Sequence, residues 1–459
     1  MGLWHVALLV VLWVIFYNYY WKRRKLPPGP TPHPLIGNLG LVLTETPRTG
    51  TELPLKWREK YGPVFTFWIG EIPIVNVTDY NAIIDSFVAN ADAYTGRFTI
   101  QKMDKWTVAI FLGDLKFASV PSSIPFYSVI VLREFVLVFR ITDNHNTLQE
   151  KLEEFHFFKK LLSDHMRTVV DPCIMLLVQE VDIMKYIFRG SYKFLKKNRG
   201  LFFGFFNKQI EEHEKNLDLN SLEEPTDYVE AYLREMNKNK EKGIENSFSD
   251  RQQLANMCLD LWFAGMETTA NTLGFTALFL LRHPEVIQKM NEEFDSVIGS
   301  DRLITLKDKS NLKYLQAVIN ESQRMSNLLP HNLIHTTTQD VEICGYKLPK
   351  GTCIVPQIGC VLFDEKYFPD PYEFKPERFL DEEGNLKKIE QLVPFSVGKR
   401  QCLGESLAKM ELFLIISNLY NQFKILPENP DKLPTLRRIP GVTWQAVPFK
   451  VVVQKRWNH

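Results

Sequence analysis

The sequence predicts a mainly α protein with small β-sheets, organised as one large domain behind an N-terminal transmembrane helix. Three observations predict it. Residues 2–21 form an apolar run without a single Asp, Glu, Lys or Arg. Most of the remaining hydrophobic pattern has the helical period. Only two stretches, 64–77 (VFTFWIGEIPIVNV) and 341–355 (VEICGYKLPKGTCIV), carry the β-branched and aromatic enrichment of strands.

The N-terminal run comes first. At ~1.5 Å rise per residue, about 20 residues cross the ~30 Å hydrocarbon layer. Lys22, Arg23, Arg24 and Lys25 follow at once and place this end of the helix on the cytoplasmic side. A cleaved signal peptide would end in small residues, but Tyr17, Tyr19, Tyr20 and Trp21 fill that place. Then proline occupies five of the eight positions from Pro27 to Pro34. Proline fixes φ and removes the amide donor, so residues 22–34 read as a basic stop and a stiff, extended hinge between anchor and body.

The body spans 35–459. Length alone suggests about three domains, but no second linker, repeat or low-complexity tract interrupts it. Of its 459 residues 45% are hydrophobic and 24% charged, which excludes a wholly disordered or fully membrane-embedded chain. Fifty-five Lys and Arg against 54 Asp and Glu leave a net charge of +1, too little basic excess to suggest a nucleic-acid partner. Phenylalanine stands out at 32 residues, as expected where an apolar interior or pocket must be lined.

Within the body the best-defined helix starts at the capping-box pattern Ser249-Asp250-Arg251-Gln252 and runs to Arg282, before His283-Pro284. Its middle, Phe263 to Thr269, pairs weak helix formers with an acid beside an alcohol, Glu267-Thr268. A bend or widening is expected here, because a Thr hydroxyl can bond back to a carbonyl one turn earlier. Such an acid and alcohol could relay protons, although a solvated Glu beside two ordinary Thr fits the same residues. Glu321 and Arg324 lie three apart on another helix, a spacing usually found in surface ion pairs. Arg378, in Pro376-Glu377-Arg378-Phe379, could share the same carboxylate.

The six cysteines, at 173, 258, 344, 353, 360 and 402, show no CxxC pair and no zinc spacing. The segment Phe395-Ser396-Val397-Gly398-Lys399-Arg400-Gln401-Cys402-Leu403-Gly404 singles out Cys402, flanked by glycines just before an apolar helical pattern at Leu403, Leu407, Met410 and Leu414. Helix amides and Arg400 are expected to lower the thiol pKa. A stabilised thiolate is a nucleophile or a metal ligand. His331-Asn332-Leu333-Ile334-His335 has Asn332 where a zinc-protease motif needs Glu.

Together these segments resemble the cytochrome P-450 family of haem-thiolate monooxygenases, in its microsomal, membrane-anchored form. Phe395 to Gly404 matches the family's FxxGxRxCxG loop, Ala264 to Thr269 its [AG]Gx[DE]TT stretch, Glu321 to Arg324 its ExxR and Pro376 to Phe379 its PERF, in the family's order. The resemblance covers the anchor, Leu35 to about Arg97, and about Ser247 to the C-terminus. It implies a cytochrome P-450 fold and a haem b whose axial ligand is the Cys402 thiolate. It places Phe395, Gly398, Arg400 and His335 at the cofactor, the last two at the propionates. It gives Glu267 and Thr268 proton delivery to dioxygen, and Glu321, Arg324 and Arg378 a structural charge network. The implied reaction inserts one oxygen atom of dioxygen into a small apolar substrate such as a xenobiotic, fatty acid or steroid. Without a GxGxxG fingerprint of its own, the chain would take electrons from NADPH through a separate flavoprotein reductase, with Lys399, Lys409 and Lys424 as contacts. The expected setting is the endoplasmic reticulum membrane, anchored in lipid, with the body in the cytosol.

One departure stands out. The family's Trp-x-x-x-Arg helix, a propionate clamp, is missing between about 110 and 140. Trp106 comes too early and Ile110 stands where the arginine would be. The apolar run Phe126 to Phe139 is too short for a second membrane span, and 116–200 is compressed relative to the family. An inactive, haem-deficient member is the alternative that follows. A peroxide-using isomerase or dehydratase would not need the Glu267-Thr268 pair.

Overall fold

An apolar helix, Leu3–Tyr19, opens the chain. Its apolar residues are spread over all its faces, the pattern that suits a helix to lipid. Among the described residues, the window Trp4–Arg23 is the one helix long and apolar enough to cross a membrane. Its one buried polar side chain, Asn18, satisfies itself by donating to the Val14 carbonyl at 2.9 Å. The protein is described by a computed structural model covering residues 3–44, 50–97, 145–171, 174–175, 184–215, 217–219, 221, 223–243 and 250–457. Cys173, Ser249, Trp106, Ile110 and the run Phe126 to Phe139 lie outside the described residues.

The described chain divides into two compact units, one comprising Met1–Phe98 with Thr269–His459 and the other Thr99–Thr268. In the first, both sequence-predicted β regions form strands. Residues 64–77 give β1 (Val64–Ile69) and β2 (Ile72–Val77), an antiparallel hairpin. A two-residue strand β3 (Gly96–Arg97) pairs with β4 (His335–Thr336). Residues 341–355 supply the hairpin β5 (Val341–Ile343) and β6 (Tyr346–Leu348), then β7 (Cys353–Pro356). The main sheet has five strands in the order β1-β2-β7-β4-β3, with β2 and β7 parallel and β4 antiparallel to β7. β7 is buried at every position, as a strand covered on both faces must be.

The proline segment is not a free spacer. It lies along β1: Thr66 donates from its amide to the Pro28 carbonyl and from its hydroxyl to the Pro27 carbonyl, both at 2.8 Å. Proline lacks a donor but keeps its acceptor, so it can pair along an edge in one direction only. Gly29 is required there, because a Cβ would stand 2.0 Å from the Thr66 carbonyl oxygen.

The largest core packs Phe275, Phe279, Phe294, Leu315, Phe413 and Tyr420 from the helices Arg251–Arg282, Pro284–Val297, Lys313–Ser326 and Glu405–Gln422. The second unit is helical. His145–Val169, Met184–Ile187, Arg189–Glu214 and Tyr228–Glu241 are its described helices, together with the part of Arg251–Arg282 before Thr269. The described part of 116–200 is therefore regular helix despite its atypical sequence. Phenylalanines hold this unit: Phe158 and Phe205 meet at 4.3 Å between centroids, Phe202 and Phe263 at 5.5 Å, and Phe206 packs on Trp262 at 5.9 Å. These rings account for part of the phenylalanine excess as ordinary core.

The long helix runs as unbroken α-helix from Arg251 to Arg282. The expected widening around Phe263 to Thr269 does not occur. The Thr268 hydroxyl does bond back, donating to the Ala264 carbonyl at 2.6 Å, and the helix absorbs that bond without a change of type.

Candidate functional site

The cysteine loop is closed by its own backbone. The Cys402 amide donates to the Phe395 carbonyl at 2.9 Å and the Gln401 amide to the Gly398 carbonyl at 3.0 Å. Two left-handed residues, Ser396 (φ 65°) and Gly398 (φ 78°), make the turn. Gly398 has a second constraint: a Cβ there would sit 1.9 Å from the Phe87 carbonyl oxygen. The loop thus presses backbone to backbone on the segment Ile84–Ala89, and glycine permits both the fold and the approach. The helix Glu405–Gln422 starts later than the apolar pattern suggests, with Gly404 as its N-cap and Leu403 exposed ahead of it.

Cys402 is exposed in this loop. Its thiol pKa is raised rather than lowered. Desolvation of the sulfur, which lies deeper than the rest of the residue, is the largest cause and Glu405 adds to it, while the Gly404 amide pulls the other way. The expected lowering by helix amides is therefore present but outweighed. The positive charge of Arg400 is directed elsewhere, its Nε donating to the Thr95 carbonyl at 2.9 Å.

That bond brings Arg400 beside β3 and β4. Arg97 on β3 is the register partner of His335 on β4. The His335 ring is buried, and its Nδ1 lies 2.8 Å from the Tyr94 carbonyl oxygen. A carbonyl only accepts, so Nδ1 carries the proton and Nε2 keeps its lone pair. Burial, then the nearby Arg97 and Arg400 charges, depress the His335 pKa to about 4 against the opposing Tyr94 bond. Three groups, Arg97, His335 and Arg400, therefore share one electrostatic neighbourhood. The two guanidiniums suit carboxylates as they stand, whereas His335, its one N–H held by Tyr94, donates from Nε2 only when the ring is protonated. Sequence reasoning missed Arg97. Only its pairing with a strand far along the chain gives it this place.

The residues Glu321, Arg324 and Arg378 are brought together, and not at the surface. Arg324 donates from Nε and Nη2 to the two oxygens of Glu321 at 2.7 and 2.8 Å, and from Nη1 to the carbonyls of Leu362 and Pro371 at 2.9 and 2.8 Å. Arg378 Nε reaches the same carboxylate at 3.0 Å. Both side chains of the central pair are fully buried. Asn332, by contrast, ties its segment to the cysteine loop, donating to the Pro356 carbonyl and the Ser396 hydroxyl at 2.9 and 3.2 Å. No cluster of His, Cys, Asp and Glu able to hold a metal ion occurs among the described residues.

Glu267 is buried in the second unit and Thr268 is half-buried there. In the first unit the next residue, Thr269, hydrogen-bonds Glu411 of the helix Glu405–Gln422; burial pushes that carboxyl up and the Thr269 bond draws it back. Glu411 went unnoticed in the sequence, although an acid inside the apolar run Met410 to Ile416 is a signal. The three lysines expected at a reductase differ in fate. Lys399 is paired with Asp92. Lys409 is paired with Glu405 at 2.6 Å and lies 5.5 Å from the Phe395 ring centroid. Lys424 is exposed on the strand Phe423–Pro427.

A family model described as cytochrome P450 matches residues 27–112 and 139–453. The chain belongs to the cytochrome P450 family. Among its relatives, cytochrome P450 2C16 of Oryctolagus cuniculus is 33% identical over 92% of this chain and 93% of its own length. Cytochrome P450 2C4 of the same species is 34% identical over 88% and 90%. Cytochrome P450 2C8 of Homo sapiens is 32% identical over 88% and 89%. The chain is a cytochrome P450 monooxygenase, an oxidoreductase with the family's mainly α fold. The family's cofactor is haem b on a cysteine thiolate, and it works with a redox partner, dioxygen and a substrate. The family match omits 113–138, the stretch that includes most of the place where the Trp-x-x-x-Arg helix is missing.

Proposed function

We propose that this chain monooxygenates a small apolar substrate of the xenobiotic, fatty acid or steroid class, with the Cys402 thiolate holding the haem iron. Electrons come from NADPH through a separate flavoprotein reductase. The anchor Leu3–Tyr19 sits in the endoplasmic reticulum membrane, and residues 35–459 form the cytosolic, haem-binding body. The observation that carries this reading is the Arg97, His335 and Arg400 neighbourhood, joined through the Arg400 bond to the loop that presents Cys402. These residues fit haem b: a thiol for the iron, and cationic and hydrogen-bonding groups for its two carboxylates.

In this reading haem supplies the activation of dioxygen, and the protein's residues do the rest. Arg97 and Arg400 would bind the propionates, with Arg97 supplying charge in place of the missing clamp, and His335 would join them from Nε2 once a neighbouring carboxylate raises its pKa and the ring takes up a second proton. Phe395 and Gly398 shape the loop, and Gly398 lets it close on Phe87. Glu267 would supply protons from its buried position, and the Thr268 hydroxyl would pass them on toward dioxygen. Glu321, Arg324 and Arg378 hold the scaffold without touching the reaction.

The deciding experiment is the spectrum of the reduced, carbon monoxide-bound protein expressed with haem. A strongly red-shifted Soret band is expected and is lost in Cys402→Ala. Absence of haem absorbance in the native protein would instead support the haem-deficient alternative. Thr268→Ala is expected to uncouple reductant use from product formation, and unchanged coupling would remove Thr268 from proton delivery.

A further inference from the structure

The four basic residues after the membrane helix do not all face outward. Lys22 keeps only 6% of its side chain exposed. Its Nζ donates to Glu71 Oε2 at 2.7 Å and to Asn18 Oδ1 at 2.6 Å, and it stands 4.7 Å from the Trp68 ring centroid. Glu71 sits at the turn between β1 and β2, and its other oxygen accepts from the Leu35 amide at 2.8 Å. One carboxylate therefore holds both ends of the segment 22–34. Between those ends, Arg23 donates to the Gly29 carbonyl at 2.9 Å, and Thr66 donates to Pro27 and Pro28.

We propose that Lys22 and Glu71 form a clasp that locks the membrane helix to the body, making residues 22–34 a fixed mount instead of a hinge. The proposal rests on the reading of Leu3–Tyr19 as a membrane helix. An exposed ion pair would contribute little, but this lysine is desolvated, ring-shielded and shared with Asn18 of the anchor helix itself. The charge that the positive-inside rule would assign to the lipid surface is spent within the protein. The clasp fixes the tilt of the body over the bilayer, and so which face a partner on the same membrane meets.

The test uses the full chain in lipid nanodiscs, with spin labels introduced as unnatural amino acids at the exposed positions His5 and Lys307. The native chain is expected to give one narrow distance distribution. Glu71→Gln keeps an acceptor for the Leu35 amide but removes the charge, and it broadens the distribution toward the roughly 20 Å spread of a free chain of this length. Lys22→Met broadens it equally, and the double variant adds nothing more, as two halves of one interaction require. A native distribution as broad as that of Glu71→Gln, a Glu71→Gln distribution as narrow as the native one, or additive single effects would overturn the clasp. An alkaline wash separates the two readings: if the chain leaves the membrane fraction, the membrane reading fails and takes the clasp with it.

Discussion

Arg97 and His335 face each other across an antiparallel strand pair. The imidazole Nδ1–H donates to the Tyr94 carbonyl at 2.8 Å. The arginine charge thus stands beside a neutral ring, and Arg400 joins them from the cysteine loop by its bond to Thr95. Two guanidiniums beside a neutral imidazole have been assembled from three distant parts of the sequence.

Removing either partner should loosen haem more than it harms the fold. A hydrogen bond to a charged group contributes about 1.5–3 kcal/mol, so Arg97→Ala and His335→Ala should each speed haem transfer to apomyoglobin by roughly tenfold or more. The melting temperature of the same variants should move by only a few degrees. Equal transfer rates in native and variant proteins would take these residues away from the propionates.

Gly398 and Gly404 flank the same cysteine and should respond oppositely to alanine. At Gly398 a methyl would overlap the Phe87 carbonyl in a left-handed backbone, costing on the order of 2 kcal/mol or more. At Gly404 nothing lies within 4 Å of the added carbon, and the cost should stay below about 1 kcal/mol. Chemical denaturation of the two variants measures the difference.

Arg324→Ala should be among the most damaging single changes in the chain. It leaves the buried Glu321 carboxylate with only Arg378 and the Lys375 amide, and frees the Leu362 and Pro371 carbonyls. Breaking such a pair costs about 3–5 kcal/mol. Arg324→Lys should rescue little, since a single ammonium cannot reach four acceptors in a plane. Soluble yield and thermal unfolding report the effect.

His165 gives a pH prediction outside the haem site. Its ring is buried, edge-on to Phe202 at 5.9 Å and Phe263 at 6.2 Å, and burial lowers its pKa from 6.5 to about 4. Between those values the unfolded chain binds more protons than the folded one, so stability falls as pH drops through that window. The loss should approach about 3 kcal/mol by pH 4. Urea unfolding at pH 7.5 and pH 5 should show the decline, with a shallower one in His165→Leu.

Much of the fold was readable before any coordinates. The strands within 64–77 and 341–355 follow from β-branched residues placed to fill a sheet, and the helix from Arg251 to Arg282 from its period and its proline stop. The cysteine loop was readable because close packing on Phe87 and a thiol before a helix leave few residue choices. Arg97 was not, because two-residue strands carry no period and its partner is remote. The rise in the Cys402 pKa was also hidden: helix amides are local and visible in sequence, whereas burial is tertiary. The docking of the proline segment was hidden for a related reason. Its missing donors argue against a strand, and only the structure shows that its carbonyls are used.

That last feature bears on how the protein behaves when shortened. The outward amides of β1 at Thr66 and Trp68 are taken by the Pro28 carbonyl and the Asn38 side chain at 2.8 and 2.9 Å. A rim capped by proline offers almost no amides of its own, so a second molecule finds no template for adding a strand. Trimming the membrane helix at residue 21 would preserve this cap. Trimming past Pro34 would strip the Pro28 partner from Thr66 and turn a sealed margin into a sticky one. The prolines that look like a tether also serve as a guard against self-association.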